Sequence, residues 1–88
     1  MSRLDPDDFD GQELARVFLA VTLAAARRAE VILTERGVHY LVRPEVVGRT
    51  LLGSERVGAV FYVQTAQAGY CGAALAAAGL GDGVILDD

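Results

Sequence analysis

Residues 15–42 constrain the fold most strongly, because they carry the pattern of a strand, a helix and a second strand in direct succession. The first seven alternate as a strand does and are expected on two faces, with Val17, Leu19 and Val21 on one and Arg16, Phe18 and Ala20 on the other. Thr22 has the side chain of an N-cap, since its hydroxyl can accept a hydrogen bond from a free backbone N–H of the next turn. From Leu23 to Arg36 the apolar period becomes helical.

The predicted helix also has a signal for its end. Gly37 stands where a residue with positive φ can end a helix at little cost. Leu33 and Val38 have the spacing of the hydrophobic pair that accompanies a Schellman motif. A second strand is expected over residues 38–42, and we expect Pro44 to stop it, because proline cannot donate to a sheet ladder.

The second half of the chain repeats this order of elements. The pattern predicts a strand over residues 57–64 and a second N-cap at Thr65. It then predicts a helix over residues 66–78, which Gly79 ends, and a short final strand over residues 84–86. Two βαβ units in tandem make a split βαβ arrangement. The fold class that we expect is therefore α+β, a ferredoxin-like βαββαβ plait with an antiparallel sheet and two helices on one face. Within it we expect the first and third strands to lie parallel at the centre.

Composition and charge divide the chain into two parts. Residues 1–13 carry five acidic side chains and are expected to form an acidic N-terminal arm, whereas residues 14–88 are expected to form a single domain. The net charge of −4 hides this division, because residues 14–81 hold seven arginines against four glutamates and are about +3. These arginines form no dense basic stripe, so we expect no nucleic-acid binding.

The expected location is cytoplasmic, in a bacterial cell. No apolar run approaches the length of a membrane span, so no membrane association is expected. Cys71 is the single cysteine, so an internal disulfide is impossible. All eight basic residues are arginine, which together with the alanine and glycine content suggests a GC-rich bacterial genome.

Both central strands carry apolar residues on both faces, whereas two helices can cover only one face. An apolar patch in water is more often an interface than idle surface. We therefore expect a homo-oligomer, a dimer or a trimer, whose sheets pack together through four residues: Phe18, Ala20, Val60 and Tyr62.

The candidate ligand site is a place for an anion. Both predicted helices are expected to begin at the same end of the sheet, after Thr22 and Thr65, where free N–H groups and partial positive charge suit an anion. Arg43, Arg49 and Arg56 flank or lie within the connection between the second and third strands and could supply guanidinium groups. No Walker loop or Rossmann fingerprint accompanies them.

No catalytic set, metal site or cofactor is expected from the sequence. His39 is the only histidine and is interpreted as a strand-surface residue, while Cys71 is interpreted as a small buried hydrophobe. Residues 45–56 contain Val46-Val47 and Leu51-Leu52, which are too apolar for an idle loop. Either the hairpin strands extend into this region or the region packs against something, a protein partner included.

The order of elements, the Thr-started first helix that ends in Glu35-Arg36-Gly37-Val38, and the connection after the second strand resemble small PII-like bacterial signal-transducing proteins. The resemblance covers about residues 14–86. It implies a trimer with ligand sites in clefts between subunits, a mobile connection between strands two and three, and regulation by binding without catalysis. The chain departs from PII proteins in its shorter connection and in lacking a counterpart of their modified tyrosine and nucleotide-binding basic cluster.

The function expected from the sequence is a small oligomeric regulatory or ligand-sensing module, without catalysis, that binds a small anionic ligand or a protein partner. Two alternatives stay open. One is a small enzyme of the dimeric α+β-barrel kind, in which His39 or a tyrosine points into a dry cavity. The other is a purely structural interaction domain that docks through residues 45–56.

Overall fold

The computed structural model describes residues 13–49, 53 and 55–85. It has five main elements in chain order: β1 (Leu14–Ala20), α1 (Leu23–Glu35), β2 (Leu41–Arg49), β3 (Glu55–Gln64) and α2 (Ala68–Leu75). A 3-10 turn, Thr65–Gln67, precedes α2, and a π-helical turn, Ala76–Leu80, follows it. The α+β class expected from the sequence is confirmed.

The sheet has three strands in the order β1-β3-β2, and both neighbouring pairs are antiparallel. The expectation that the first and third strands are parallel is therefore wrong. The reason is topological: β2 runs parallel to β1 after the crossover through α1, and the hairpin then reverses the chain, so β3 must run against β1. As a consequence, α1 and α2 begin at opposite ends of the sheet.

The expected final strand is reduced to a single bridge in the described chain. Val84 pairs with Phe18 in the antiparallel sense, and the N–H of Ile85 donates to the carbonyl of Val17 at 2.9 Å. Leu86 lies outside the described residues. The described residues therefore form three strands, where the expected plait has four.

Both signals for the ends of α1 are confirmed. The hydroxyl of Thr22 accepts a hydrogen bond from the N–H of Ala25 at 3.1 Å, as an N-cap does. At the other end Gly37 has φ of +71°, and the N–H of Val38 donates to the carbonyl of Leu33 at 3.0 Å. These are the marks of a Schellman ending, with Leu33 and Val38 both buried.

The second strand is longer than the sequence predicts, because Pro44 does not stop it. β2 runs through Pro44 to Arg49 and pairs with β3 down to Glu55. Proline is tolerated here because β2 is an edge strand, where an N–H that faces away from the sheet is not needed for the ladder. For Val46 and Val47, the structure shows the first of the two explanations, extension of the hairpin strand; Leu51 and Leu52 lie outside the described residues.

A β-bulge in β1 changes which side chains share a face. Arg16 lies opposite Tyr62 and Phe18 lies opposite Phe61, so that Val17 is the extra residue between them. Val17 and Phe18 consequently both lie in the core beneath the helices, although strict alternation would separate them.

One core lies between the sheet and the two helices. It combines side chains from both helices and all three strands, centred on Phe18, Leu33, Tyr40, Phe61, Cys71 and Leu75. Two arginines, Arg28 of α1 and Arg36 at its C-cap, also link the two helical segments. Arg36 Nη1 donates to the hydroxyl of Tyr70 at 3.1 Å, and Arg28 Nη2 donates to the carbonyl of Ala78 at 3.0 Å.

Candidate functional site

The two threonines of the expected anion site lie at opposite ends of the sheet. Thr22 follows Ala20, which pairs with Ala59, whereas Thr65 follows Gln64, which pairs with Leu14 at the other end of β3. The N–H of Thr65 donates to the carbonyl of Glu13 at 3.2 Å, and no side chain caps the turn that Thr65 begins. The expectation that both helix starts face one ligand is wrong, because it rested on parallel central strands.

The expected arginines do not complete that site either. Arg43 lies opposite Val60, on the sheet face away from the helices, and Arg56 is exposed on β3. The side chain of Arg49 lies outside what the structure describes. In the described part of the chain, no buried side-chain nitrogen or oxygen lacks a hydrogen-bond partner. No buried polar group there is left over to hold a ligand.

The surroundings of His39 and Cys71, the histidine and cysteine considered for chemistry, give neither residue a catalytic setting. His39 is exposed and lines none of the three cavities described below. The alternative of a small α+β-barrel enzyme required His39 or a tyrosine to point into a cavity, so His39 does not support it. Cys71 is fully buried, and burial raises the pKa of its thiol. Its interpretation as a small core hydrophobe is confirmed.

The four residues expected to form a sheet-to-sheet interface do not share a face. Phe18 and Ala20 lie in the core beneath the helices, because the bulge at Val17 turns them inward. Val60 and Tyr62 lie on the opposite side of the sheet, where Val60 is fully buried, at 0% exposure, and Tyr62 is partly exposed. The expected apolar patch, with all four in water, is wrong.

The side of the sheet away from the helices, which we call the open face, is polar at its surface. Cross-strand pairing places ten side chains on it: Leu14, Arg16, Leu19, Leu41, Arg43, Glu45, Arg56, Val60, Tyr62 and Gln64. Arg16 reaches across β3, and its Nη2 donates to both carboxylate oxygens of Glu45 at 2.9 Å. An exposed ion pair of this kind contributes only about 0.2–1 kcal/mol to stability, but it places charge over the buried Val60.

The exposed apolar surface lies instead at the start of α1, on the helix side of the sheet. A groove of about 400 Å³ runs there between the β1–α1 turn and the β2–β3 hairpin. We call it the α1 groove. None of the described residues that line it is charged; its walls are Ala20, Val21, Thr22, Leu23, Ala26, Val42, Pro44, Val57, Gly58 and Ala59.

Exposed aliphatic side chains concentrate around this groove. Val21 is 52%, Leu23 67% and Val57 59% exposed, and all three line it. Val46, 52% exposed, pairs directly with Val57 across the hairpin. Among the described residues the other large exposed hydrophobics are Val31 and Tyr70, one on each helix. Such clustering of apolar surface marks an interaction site more often than scattered single residues do.

Two further cavities are present in the described part of the chain. One, of about 390 Å³, lies on the other side of Val21, between β1 and the segment that contains Val84. The other, of about 350 Å³, lies along the alanines and glycines of α2 beside Val84. The first of them shares Val21 with the α1 groove, but neither is lined by Leu23 or Val57.

No three acidic, histidine or cysteine side chains are grouped to hold a metal ion within residues 13–49, 53 and 55–85. In that same part of the chain, neither helix has the length and apolar content needed to cross a bilayer.

No protein-family model, curated protein or solved structure matches this chain. The resemblance to PII-like proteins therefore stays a prediction.

The α1 groove was found only in part from the sequence. The sequence marks Val46 as too apolar for an idle loop, whereas it predicts Val21 at the end of a strand and Leu23 at the start of a helix. A signal did exist, since Val21 and Leu23 flank the N-cap Thr22 as two large aliphatics in succession. Leu51 and Leu52, the other apolar pair of the hairpin, lie outside the described residues.

Proposed function

We propose that this chain is a small regulatory or sensing module that acts by binding, without catalysis, and that it binds a protein partner through the α1 groove. The observation that carries the proposal is the cluster of Val21, Leu23, Val46 and Val57 around one uncharged groove. Solvent exposure of these side chains costs free energy that a complementary apolar surface would recover.

The groove favours aliphatic side chains of a partner over a small anion. Thr22, the one polar side chain among the described residues that line it, already accepts a hydrogen bond from Ala25 as the N-cap of α1. A volume of about 400 Å³ lies within the range of roughly 300–1,000 Å³ that is usual for binding pockets. An amphipathic helix, whose apolar face lies in such grooves, is the partner type that this shape fits.

A complete ferredoxin-like plait is part of this proposal. It is supported by the bridge between Val84 and Phe18 and by the hydrogen bond from Ile85 to Val17, which run along the free edge of β1. A fourth strand at that edge would give the order 4-1-3-2. This arrangement also supports the proposed likeness to PII-like proteins, which act by binding.

The proposed homo-oligomer, a dimer or trimer, now depends on the α1 groove and not on the four residues first expected at the interface. A second copy of this chain is one protein that could cover the groove, since an isologous contact places the same patch on both partners. The proposed small-anion ligand loses its support, because Thr22 and Thr65 lie far apart in the sheet.

The test compares two exposed positions on the same helix. Leu23→Gln removes an aliphatic wall of the groove, whereas Val31→Gln changes an exposed aliphatic, 55% exposed, outside it. Val57→Thr is a third variant, which keeps the branched shape suited to a strand. All three positions are exposed, so we expect unfolding free energies within about 0.5 kcal/mol of wild type.

Binding of the apolar dye 8-anilinonaphthalene-1-sulfonate to the native protein is then measured by fluorescence, with light scattering on the same samples. We expect Leu23→Gln and Val57→Thr to weaken dye binding at least fivefold and to lower any assembly mass, and Val31→Gln to do neither. Equal effects of Leu23→Gln and Val31→Gln would contradict the proposal. A native protein that binds no dye would contradict it as well.

A further inference from the structure

The strand β2 forms one edge of the sheet that the described residues build. It is the outer strand in the order β1-β3-β2, and it runs for 9 residues, Leu41–Arg49. The outer edge of such a strand presents N–H and C=O groups on which a strand of another molecule can add. An edge of this length is therefore a docking site for a strand unless something closes it.

The pairing of β2 shows which way the backbone of Pro44 points. In an antiparallel pair, residues alternate between those that exchange hydrogen bonds with the partner strand and those whose N–H and C=O face away from it. Pairing of β2 with β3 continues through Pro44 and Ala59 without a break. Because proline has no N–H to give to that ladder, the backbone of Pro44 must face the free edge.

Two further residues share this edge with Pro44. The alternation directs the N–H and C=O of Val42 and Val46 to the free edge, and those of Arg43 and Glu45 to β3. Of the three outward positions, only the middle one lacks a donor. The proline ring also occupies the place of the missing hydrogen, where the carbonyl of an added strand would have to come.

No useful register of an added strand avoids Pro44. The β-bulge between Val46 and Gly48 interrupts the regular edge on one side. A strand that forms several hydrogen bonds must therefore pair along residues 41–46, and every such register places a backbone carbonyl opposite Pro44. If the β2 strands of two copies paired antiparallel about this position, two prolines would face each other.

We propose that Pro44 closes the edge of β2 to strand addition, above all to the β2 of a second copy of this chain. Pro44 and Val42 also line the α1 groove, so the closed edge borders the groove. Partners at this end of the sheet are thereby limited to contacts with side chains, as an amphipathic helix makes them. That limit on partners rests on the proposed function, whereas the closure of the edge does not.

Hydrogen exchange of the native full chain tests the direction of the backbone groups. We expect the amides of Val42 and Val46 to exchange about tenfold faster than those of Arg43 and Glu45, after correction for intrinsic rates, because only the latter two donate to β3. Equal protection at all four positions would overturn the proposal, since the outward donors would already have a partner.

Pro44→Val restores the missing donor and keeps an aliphatic side chain in the wall of the groove. We expect light scattering to show about twice the wild-type mass at the same concentration, as for an added isologous contact. The amides of Val42 and Val46 should then exchange about tenfold more slowly. Pro44→Thr, which also suits a strand, should act in the same way. Folded variants with wild-type mass at millimolar concentration would overturn the proposal.

Two double variants locate the new contact. Pro44→Val with Val46→Pro returns a proline to another outward position and should restore the wild-type mass. Pro44→Val with Leu23→Gln should keep the gain in mass, because pairing of edges does not use the groove. Loss of the gain in the second double variant would place the contact in the groove and overturn edge closure. Leu23→Gln alone tests only the proposed function, so the two failures are distinguishable.

Discussion

At the scale of single residues, Gly83 shows how tightly the last described segment packs on β1. A Cβ at this position would lie 2.6 Å from the carbonyl oxygen of Leu19 and 2.6 Å from the ring of Phe18. Real Cβ atoms do not approach backbone oxygens so closely. Only a residue without a side chain fits at this point. The sequence does not reveal this requirement, because Gly83 is one of ten glycines.

We therefore expect Gly83→Ala to destabilise the fold by about 1–3 kcal/mol, the usual cost of forcing extra atoms into a packed site. Gly69→Ala is the matched control, because its Cβ would meet no atom within 4 Å and alanine favours the helix by up to about 1 kcal/mol. Denaturant unfolding of both variants measures the difference. Equal stabilities would show that the passage past Leu19 is not tight.

At the scale of elements, the two threonines with the same predicted role behave differently. Thr22 caps α1 through its hydroxyl, whereas the turn that begins at Thr65 has no side-chain cap. The sequence could predict α1 because cap, apolar period and Gly37 are all local signals. It could not predict the bulge at Val17, because a bulge arises from pairing with a distant strand. Without the bulge, Phe18 and Ala20 are expected on the wrong face of the sheet.

Thr22→Ala should cost about 1 kcal/mol of stability, the typical effect of removing an N-cap, and Thr22→Ser should retain most of it. Thr65→Ala should change the stability by less than about 0.5 kcal/mol, since its side chain caps nothing. Thermal or urea unfolding of the three variants tests this. A loss for Thr65→Ala as large as that for Thr22→Ala would contradict the assignment of the caps.

At the scale of the whole molecule, the direction of β3 determines where the candidate site lies. The antiparallel pairing of β1 with β3 separates the starts of the two helices and leaves the β2–β3 hairpin beyond the start of α1. Val57, whose cross-strand partner is Val46, then lines one groove with Val21 and Leu23, although the hairpin and the start of α1 are far apart in sequence. The elements were predictable from local pattern, but this juxtaposition depends on strand direction, which the sequence analysis assigned wrongly.

The most direct test of the α1 groove as the binding surface is an NMR titration of the ¹⁵N-labelled full chain with a short aliphatic probe such as hexanol. The account predicts that the largest amide shifts fall on Val21, Leu23 and Val57, with Val31 and Arg43 unmoved. Shifts confined to the open face, or to the cavity beside Val84, would contradict it.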